Sequence, residues 1–488
     1  MKKVILSVLS VMFLFSCGAK ATNSSSQEGA DSIIKVGLPE PLTGDLSQYG
    51  VAIKEGIELK IEEVNNAGGI NGKKVELLVQ DTKGDLQEVV NIVKKMISVD
   101  KVNAILGEAI SANTFAAAEL AQKAKIPMIT PAGTRFDITT GKDYVFRTTF
   151  TDPYQGEVLA KYIKKLGYKN VAILTNTSSD YSVGVSEKFK EIAKSEGLSF
   201  IEQKYTKDDK DFKSLLTNVK NSGADALLIP DYYNTIGLIL SQAKELGLNV
   251  QVFGSDGWDG IQENFAQVAD GAIFTSQYDL EDKKELSVKF REAYKAKYNK
   301  EPNLFNALGY DSATILVEAL AKSENLDPAK LRDLISQTKL DLVTGSLEFD
   351  SERNPKKQVS FLTIKDGKLY QYPVAAIKDL RASKEEFSNR SETKNTYELE
   401  LNLEANSQSE IILLADKDGK GLSINFDLVN GQVTIDRSQA GEQYAQEFGT
   451  TRSCSVTNQA TTVNIFIDNS VFEIFINKGE KVFSGRVF

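Results

Sequence analysis

The chain has 488 residues, a formal net charge of −9, two cysteines and no histidine. A chain of this length would ordinarily carry about ten histidines. Their absence excludes Ser-His-Asp and Cys-His hydrolysis and any histidine-ligated zinc or haem. Two cysteines exclude a disulfide framework or a multi-thiolate metal centre, and the acidic balance argues against nucleic acid as a partner. We expect neither a cofactor nor a metal, and the length allows two to four domains.

Residues 1–16 have the pattern of a secretory signal, with a basic start and an apolar run from Val4 to Phe15 that is too short to span a bilayer. The exit, Leu14-Phe15-Ser16-Cys17, resembles the lipobox of bacterial lipoproteins, which implies that Cys17 becomes the lipid-modified N-terminus. The alternative is an ordinary signal peptide with an incidental cysteine. We expect an extracytoplasmic protein held at the bacterial membrane by lipid alone, with residues 17–32 as a flexible tether.

From residue 33 onward, short β-branched runs alternate with helical patterns. Ile53, Ile57, Ile61 and Val64, for example, fall on one face of a helix. The alternation predicts parallel sheets covered by helices on both faces. Because the pattern ends near Thr130 and begins again near residue 171, it predicts two α/β lobes with a binding cleft between them. The predicted strands are Ile33–Leu38, Val75–Asp81, Val102–Gly107, Val171–Thr175, Ala226–Pro230 and Val252–Gly254.

Residues 33 to about 378 resemble the branched-chain amino-acid class of periplasmic binding proteins, the type I solute-binding proteins of ABC importers. This resemblance implies a two-lobed Venus flytrap fold over 33–380, with lobe swaps near 131–152 and 255–275 and a tail over 340–378. The motifs that carry it are Pro41-Leu42-Thr43-Gly44 with Tyr49-Gly50, Asn66-Ala67-Gly68-Gly69-Ile70-Asn71-Gly72, Ile129-Thr130-Pro131-Ala132-Gly133-Thr134 and Phe253-Gly254-Ser255-Asp256-Gly257.

The carboxylate of a free amino acid needs N–H and O–H donors, which helix N-termini supply well. Ser111 and Thr134 stand where predicted strands give way to helical runs, so the residues alone allow either anion donors or plain helix N-caps. The resemblance implies that both hold the ligand carboxylate, together with the backbone of Ala132 and Gly133.

The ligand ammonium needs an acid, and Asp256 occupies the acidic position of the family. By itself, the Asp of Ser-Asp-Gly is equally a turn residue. Many relatives carry Glu at this position, so the shorter Asp should shift the ligand slightly. The resemblance implies that further side chains line the cleft: Tyr49, Ala109, Ile110, Tyr181, Tyr232 and, on a weaker match, Phe305.

Ala109 and Ile110 match positions that contact the ligand side chain, and their apolar character favours a neutral aliphatic amino acid. Trp258 either walls the pocket or packs the lobe. The expected function is therefore capture of a zwitterion by lobe closure, followed by docking of the closed form on the ABC permease subunits. No catalysis is expected.

Composition changes after Leu380. Residues 381–395 form a polar linker, and 396–488 alternate strands without helices, with hairpin turns at Asn430-Gly431 and Asp468-Asn469-Ser470. This pattern predicts an all-β sandwich. Ile467–Phe475 and Phe483–Phe488 resemble the C-terminal β-sandwich of invertase-type glycoside hydrolases, the family 32 sucrose and sucrose-6-phosphate hydrolases.

Catalysis in that family belongs to an N-terminal propeller with a Trp-Met-Asn-Asp-Pro-type motif, and the single tryptophan here, Trp258, has a different context. The join with the receptor is either a natural fusion that adds a carbohydrate-contacting module or an accidental or engineered junction near 376–385. The second is favoured, because a sandwich without its propeller should expose an apolar face.

Overall fold

The structure is a computed structural model that describes residues 33–372, 396–413, 420–440, 450–459, 461–468 and 471–486. The predicted signal, the tether with Cys17 and the 381–395 linker lie outside these residues. Within the described ranges, no helix is both long and apolar enough to cross a bilayer.

Residues 33–372 alternate strands and helices, as the sequence predicts. The strands are β1 (Ile33–Glu40), β2 (Lys74–Asp81), β3 (Ala104–Leu106), β4 (Met128–Thr130), β5 (Val145–Arg147), β6 (Asn170–Asn176), β7 (Ser199–Tyr205), β8 (Ala226–Ile229), β9 (Gln251–Gly254), β10 (Ile273–Ser276), β11 (Lys339–Leu342), β12 (Gly345–Glu348), β13 (Ser360–Lys365) and β14 (Lys368–Tyr372). The helices are α1 (Ser47–Asn66), α2 (Leu86–Lys95), α3 (Ser111–Ala124), α4 (Asp152–Lys165), α5 (Asp180–Glu196), α6 (Lys213–Asn221), α7 (Tyr233–Glu245), α8 (Gln262–Ala269), α9 (Glu285–Tyr298), α10 (Leu304–Lys322) and α11 (Pro328–Ser336).

The first lobe contains a parallel sheet in the order β2-β1-β3-β4-β5. Its interior strand β1 is buried along most of its length. In the predicted stripe of α1, Ile53, Ile57 and Ile61 are buried and Val64 is partly buried. Because β3 and β4 are neighbours and parallel, the loops that follow them lie side by side at one edge of the sheet. These two loops carry Ser111 and Thr134.

The second lobe contains the sheet β14-β13-β10-β9-β8-β6-β7, in which β6 to β10 are parallel and β13 and β14 are antiparallel additions. Asp256 lies in the loop after β9, and Tyr181 is the second residue of α5. The chain returns to the first lobe after β10, which pairs with β9 and β13 in the second-lobe sheet.

Helices α9 and α10 complete the first lobe by packing on α1. Two glycines allow the close approach of α1 and α10: a Cβ on Gly56 would lie 2.0 Å from the carbonyl oxygen of Asn306, and one on Gly309 would lie 2.3 Å from that of Ile53. The side chain of Asn306 also donates to the Ala52 carbonyl at 2.8 Å. This packing places Phe305, at the start of α10, over the cleft.

The C-terminal residues form two antiparallel four-stranded sheets, which confirms the predicted sandwich. Its strands are β15 (Thr396–Leu403), β16 (Gln408–Leu413), β17 (Leu422–Asp427), β18 (Gln432–Asp436), β19 (Thr451–Ser455), β20 (Thr461–Asp468), β21 (Val471–Ile476) and β22 (Lys481–Arg486). The sheet orders are β15-β20-β21-β22 and β16-β17-β18-β19. Alternate residues, such as Ile424, Phe426 and Ile465, fill the core between them.

Candidate ligand-binding site between the lobes

A pocket lies between the two lobes of residues 33–372, with about 260 Å³ of empty space when the solvent at its mouth is included. Nine of the eleven predicted ligand-binding residues line it, with Gly257 as an addition that the sequence did not suggest. The lining residues are Tyr49, Ala109, Ser111, Ala132, Thr134 and Phe305 from the first lobe and Tyr181, Tyr232, Asp256 and Gly257 from the second.

The first-lobe wall presents hydroxyl and amide donors at the start of a helix. Ser111 is the first residue of α3, and its Oγ lies 3.3 Å from Thr134 Oγ1. The backbone amides of Thr134 and Arg135 both donate to Ser111 Oγ at 3.3 Å. The first N–H groups of a helix have no intrahelical acceptor and carry partial positive charge. This wall therefore suits a carboxylate.

A buried arginine binds the backbone of the loop that carries Thr134. Arg147 is fully buried and donates to the carbonyl oxygens of Gly133 and Arg135, both at 2.9 Å, and of Phe136 at 3.0 Å. Because its guanidinium binds carbonyl oxygens of this loop, Arg147 fixes the backbone beside the pocket. It is not among the lining residues.

The second-lobe wall presents an oriented carboxyl group. Asp256 begins a 3-10 turn after β9, and its Oδ1 accepts hydrogen bonds from Gln155 Nε2 and Tyr181 Oη, both at 2.9 Å. The Asp256 amide donates back to Gln155 Oε1 at 3.0 Å. Burial raises the pKa of Asp256 to about 6, against the effect of these hydrogen bonds. The group is ionised at neutral pH and suits an ammonium.

Aromatic rings close the rest of the pocket. The ring of Tyr49 lies 4.5 Å from Phe305 and 5.8 Å from Tyr232, and Tyr181 stacks on Tyr232 at 5.1 Å between centroids. Offset and edge contacts of this kind stabilise a rigid apolar surface. With Ala109 and Ala132, these rings provide room for an apolar side chain.

Two predicted residues adjoin the pocket without being among its lining residues. Ile110 is half-buried against the first-lobe core. Gly133 packs on threonines, since a Cβ there would lie 2.7 Å from the Thr114 side chain, and its amide donates to Thr130 Oγ1 at 2.9 Å. Their roles as ligand contacts stay predictions.

Trp258 packs the second lobe. It is fully buried, its Nε1 donates to the Ile229 carbonyl at 2.8 Å, and its ring stacks on Phe274 at 6.2 Å. Of the two alternatives that the sequence leaves open, the structure supports packing.

A second acid lies beside the pocket, and sequence reasoning missed it. Asp152 is the first residue of α4, is 1% exposed, and its amide donates to the Thr134 carbonyl at 2.9 Å. Among the described residues, neither of its carboxylate oxygens makes a regular hydrogen bond, although the Thr134 side chain lies close enough to oppose the rise in its pKa. Burial raises its pKa well above the ordinary range, and the nearby Asp256 adds to the shift. Because the sequence Thr-Asp-Pro is typical of a helix start, Asp152 looks like an ordinary helix-capping residue, and the sequence gives no sign of a place beside the pocket.

The lobes also contact one another directly around the pocket. Tyr49 Oη donates to the Gly257 carbonyl at 2.5 Å and accepts from the Tyr233 amide at 3.2 Å. At the rim, Arg135 of the first lobe forms an ion pair with Asp180 of the second at 2.5 Å. These contacts describe a closed cleft.

In the described part of the chain, no group of three or more acidic or thiol side chains is arranged to hold a metal ion. The pocket thus combines three features: hydrogen-bond donors that suit an anion, a carboxyl group that suits a cation, and aromatic rings that enclose the space between them.

Residues 33–368 match the family model described as periplasmic binding protein. The chain belongs to the periplasmic binding protein family. A relative from Pseudomonas aeruginosa, named as a leucine-, isoleucine-, valine-, threonine- and alanine-binding protein, is 29% identical over 351 residues, which cover 70% of this chain and 92% of the relative.

Among solved structures, this periplasmic binding protein is similar to a branched-chain amino acid transporter substrate-binding protein of Streptococcus pneumoniae in complex with isoleucine. The identity is 34% and the TM-score 0.66, over 69% of this chain and 97% of the other. The likeness confirms the predicted type I fold.

Residues 370–488 match a different model, described as glycosyl hydrolases family 32 C terminal. A sucrose-6-phosphate hydrolase of Streptococcus mutans is 58% identical over 130 residues, which are 27% of this chain and 27% of the hydrolase. The chain thus spans about a quarter of that relative. The first matched region ends at residue 368 and the second begins at residue 370.

Proposed function

We propose that this protein captures a neutral amino acid, as a zwitterion, between its two lobes. The observation that carries the proposal is the opposed placement of Ser111 and Thr134 on one wall and Asp256 on the other. Donors at a helix start favour the carboxylate, and the oriented acid favours the ammonium. The names of the similar proteins, which refer to leucine, isoleucine and valine, support the same class of ligand.

The lining favours an uncharged ligand side chain. It consists of Tyr, Phe, Ala, Gly, Ser, Thr and one Asp, without lysine or arginine among these described residues. A second carboxylate on the ligand would have no counter-charge there, and burying an unpaired charge is costly. Rings such as Tyr49 and Phe305 instead favour apolar contact.

Isothermal titration calorimetry tests this proposal. The protein is unfolded and refolded to remove carried-over ligand and is then titrated with the common amino acids. We expect one-to-one binding of at least one of leucine, isoleucine, valine, threonine or alanine, and no heat with glutamate or aspartate. An absence of binding with every neutral amino acid would sink the proposal.

We further propose that the receptor is anchored by lipid at Cys17 and delivers its ligand to an ABC permease on the extracytoplasmic side of the membrane. The lipobox-like exit sequence and the similarity to transporter binding proteins support this. Mass spectrometry of the membrane-bound protein should find acyl chains on Cys17, and Cys17→Ala should release the protein. A membrane-bound Cys17→Ala protein would contradict the anchor.

We also propose that the chain is not an enzyme. We further propose that its C-terminal sandwich comes from an unrelated gene and was joined to the receptor by an accidental or engineered junction. The exposure of Phe466 and Val482, at 39% and 50%, is consistent with a sandwich that lacks its usual neighbour. Turnover of sucrose or sucrose 6-phosphate by the purified chain would overturn the first statement. Reading the source DNA across codons 370–395 tests the second, and an uninterrupted natural reading frame would contradict it.

A further inference from the structure

Two glutamates lie buried together behind the carboxylate end of the pocket. Glu40 ends β1 and Glu108 follows β3, and both are 0% exposed. A Cβ on Gly107, the residue before Glu108, would lie 3.1 Å from Glu40 Oε1. Two neighbouring strands of one parallel sheet therefore place both acids at the same edge.

The two glutamates have different surroundings. Glu108 Oε1 accepts from Thr82 Oγ1 at 2.9 Å and Asn113 Nδ2 at 3.3 Å, and its Oε2 accepts from the Ile110 amide at 2.7 Å. Among the described residues, the backbone amide of Ala109 is the only donor that acts on the Glu40 carboxyl group, and neither of its oxygens makes a regular hydrogen bond. An ionised carboxylate needs donors when buried, whereas a protonated one needs fewer. Glu108 is the favoured place for a negative charge, and Glu40 for a proton.

Neighbouring elements supply no cation to neutralise the pair within the described chain. Burial is the largest cause that raises the pKa of Glu40, and Glu108 is the charged group that raises it further. The charged groups near this edge of the sheet are engaged elsewhere. Asp81 accepts from the amides of Leu42 and Thr43, and Asp85 from the amide of Glu88. Lys83 pairs with the Glu88 carboxylate, and Arg147 donates to the carbonyls of Gly133 and Arg135.

The pair is linked to the binding wall through the start of α3. Glu108 binds the amide of Ile110, and the next residue, Ser111, lines the pocket together with Ala109. A ligand carboxylate at Ser111 and Thr134 would use the same helix N-terminus that Glu108 already occupies. Two anions a few residues apart in a buried place repel each other, and binding of one favours protonation of the other.

We propose that Glu40 and Glu108 share one proton behind the pocket and that capture of the amino acid draws a further proton from solvent onto this pair. The inference rests on the proposed function, because the ligand must bring a carboxylate to Ser111. The proton comes from the buffer and leaves when the ligand leaves. The pair thus acts as a proton-linked positioning device for α3.

The pH dependence of ligand affinity follows from Glu108 behind the first-lobe wall and Asp256 on the second-lobe wall. Burial raises the pKa of Glu108 to about 7, so its protonation eases the approach of the ligand carboxylate as the pH falls toward that value. Asp256, whose pKa burial raises to about 6, must stay ionised for the ammonium, so affinity falls again below that value. Affinity should be greatest between about pH 6 and 7.

Calorimetry with L-leucine at pH 7.5, in phosphate and in Tris, measures the protons taken up on binding. Asp152 and Asp256 also change protonation when an ammonium binds, so the decisive quantity is the difference between variants. We expect greater uptake in the native chain than in Glu108→Gln, which removes the carboxylate that takes up the proton. Glu40→Gln mimics a protonated Glu40 and should keep the uptake. The exposed Glu76 of β2 provides the control variant Glu76→Gln. Equal proton uptake in the native chain and in Glu108→Gln would overturn the proposal.

A ligand-free readout separates this proposal from the proposed function. The melting temperature of the native chain should fall more between pH 5.5 and 7.5 than that of Glu40→Gln or Glu108→Gln, because a carboxylate forms in a buried site. That difference should appear even if L-leucine does not bind. Identical pH profiles of all three proteins would contradict the shared proton, whatever the ligand.

Discussion

The hydroxyl of Tyr49 donates a hydrogen bond of 2.5 Å to the backbone carbonyl of Gly257, and so joins the first lobe to the second across the pocket. The same oxygen accepts from the Tyr233 amide. Both partners belong to the second lobe, so this single side chain makes two contacts that exist only when the lobes are together. Tyr49 is thus both a wall of the pocket and a latch on the closed form.

Tyr49→Phe should weaken leucine binding by about two- to tenfold, because a net hydrogen bond contributes about 0.5–1.5 kcal/mol. The ring contacts with Phe305 and Tyr232 would remain. Calorimetry measures the affinity, and small-angle X-ray scattering should show a larger radius of gyration for the leucine-bound variant. Tyr370→Phe, at a ring that is 42% exposed, is the control. Unchanged affinity and size in Tyr49→Phe would argue against the latch.

Asp256→Asn should weaken binding by roughly a hundredfold or more, because removal of one partner of a buried ion pair costs about 3–5 kcal/mol. The amide can still accept from Tyr181 and Gln155, so the loop should keep its structure. The exposed Asp208 provides the matched control, Asp208→Asn. If Asp256→Asn binds leucine as tightly as the control does, the ammonium lies elsewhere.

Asp152→Asn should have opposite effects on affinity and stability. Burial favours its protonated form in the ligand-free protein, and a bound ammonium would favour its ionised form beside Asp256, so its loss should weaken binding of the ammonium by about tenfold. The buried carboxyl makes no regular hydrogen bond among the described residues, so its removal should raise the melting temperature of the ligand-free protein. Thermal unfolding and calorimetry on one preparation measure both effects. Lower stability with unchanged affinity would identify Asp152 as a structural residue only.

The ligand-free protein should lose stability as the pH rises from 5 to 7.5. Burial raises the pKa of Glu108 and of Asp259 to about 7 and that of Asp256 to about 6, so the folded chain holds protons that the unfolded chain releases near pH 4. Because the unfolded state binds fewer protons in this window, stability falls with pH. No histidine titrates here to obscure the effect. A melting temperature that is flat or rises over this range would contradict the raised pKa values.

Much of this site could be predicted from the sequence. Thr134 and Asp256 lie in the motifs after β4 and β9 that also identify the fold, and Ser111 stands where a predicted strand gives way to a helical run. The strand β19 was missed because Thr-Arg-Ser-Cys-Ser has no apolar alternation, and it lies at the edge of its sheet. Periodicity indicates buried faces, and a polar edge strand has none.

The buried acids could not be predicted for a different reason. Glu40 and Glu108 lie at the ends of strands, and Asp152 lies at the start of a helix. Acidic residues at such positions are usually exposed to solvent. Only the packing of neighbouring loops removes them from water. Gly257 was missed because it contributes only backbone atoms to the pocket. The pattern of side chains in a sequence does not show which backbone carbonyl groups will line a pocket.

The most direct test of the account compares L-leucine with two analogues that each lack one charged end: 4-methylpentanoate, without the ammonium, and 3-methylbutylamine, without the carboxylate. Calorimetry on the stripped full chain at pH 7 should show tight one-to-one binding of leucine. Both analogues should bind at least about a hundredfold more weakly, because each leaves one buried wall unpaired. Equal binding of 4-methylpentanoate and leucine, or no binding of leucine or any other neutral amino acid, would contradict capture of a zwitterion between Ser111 and Asp256.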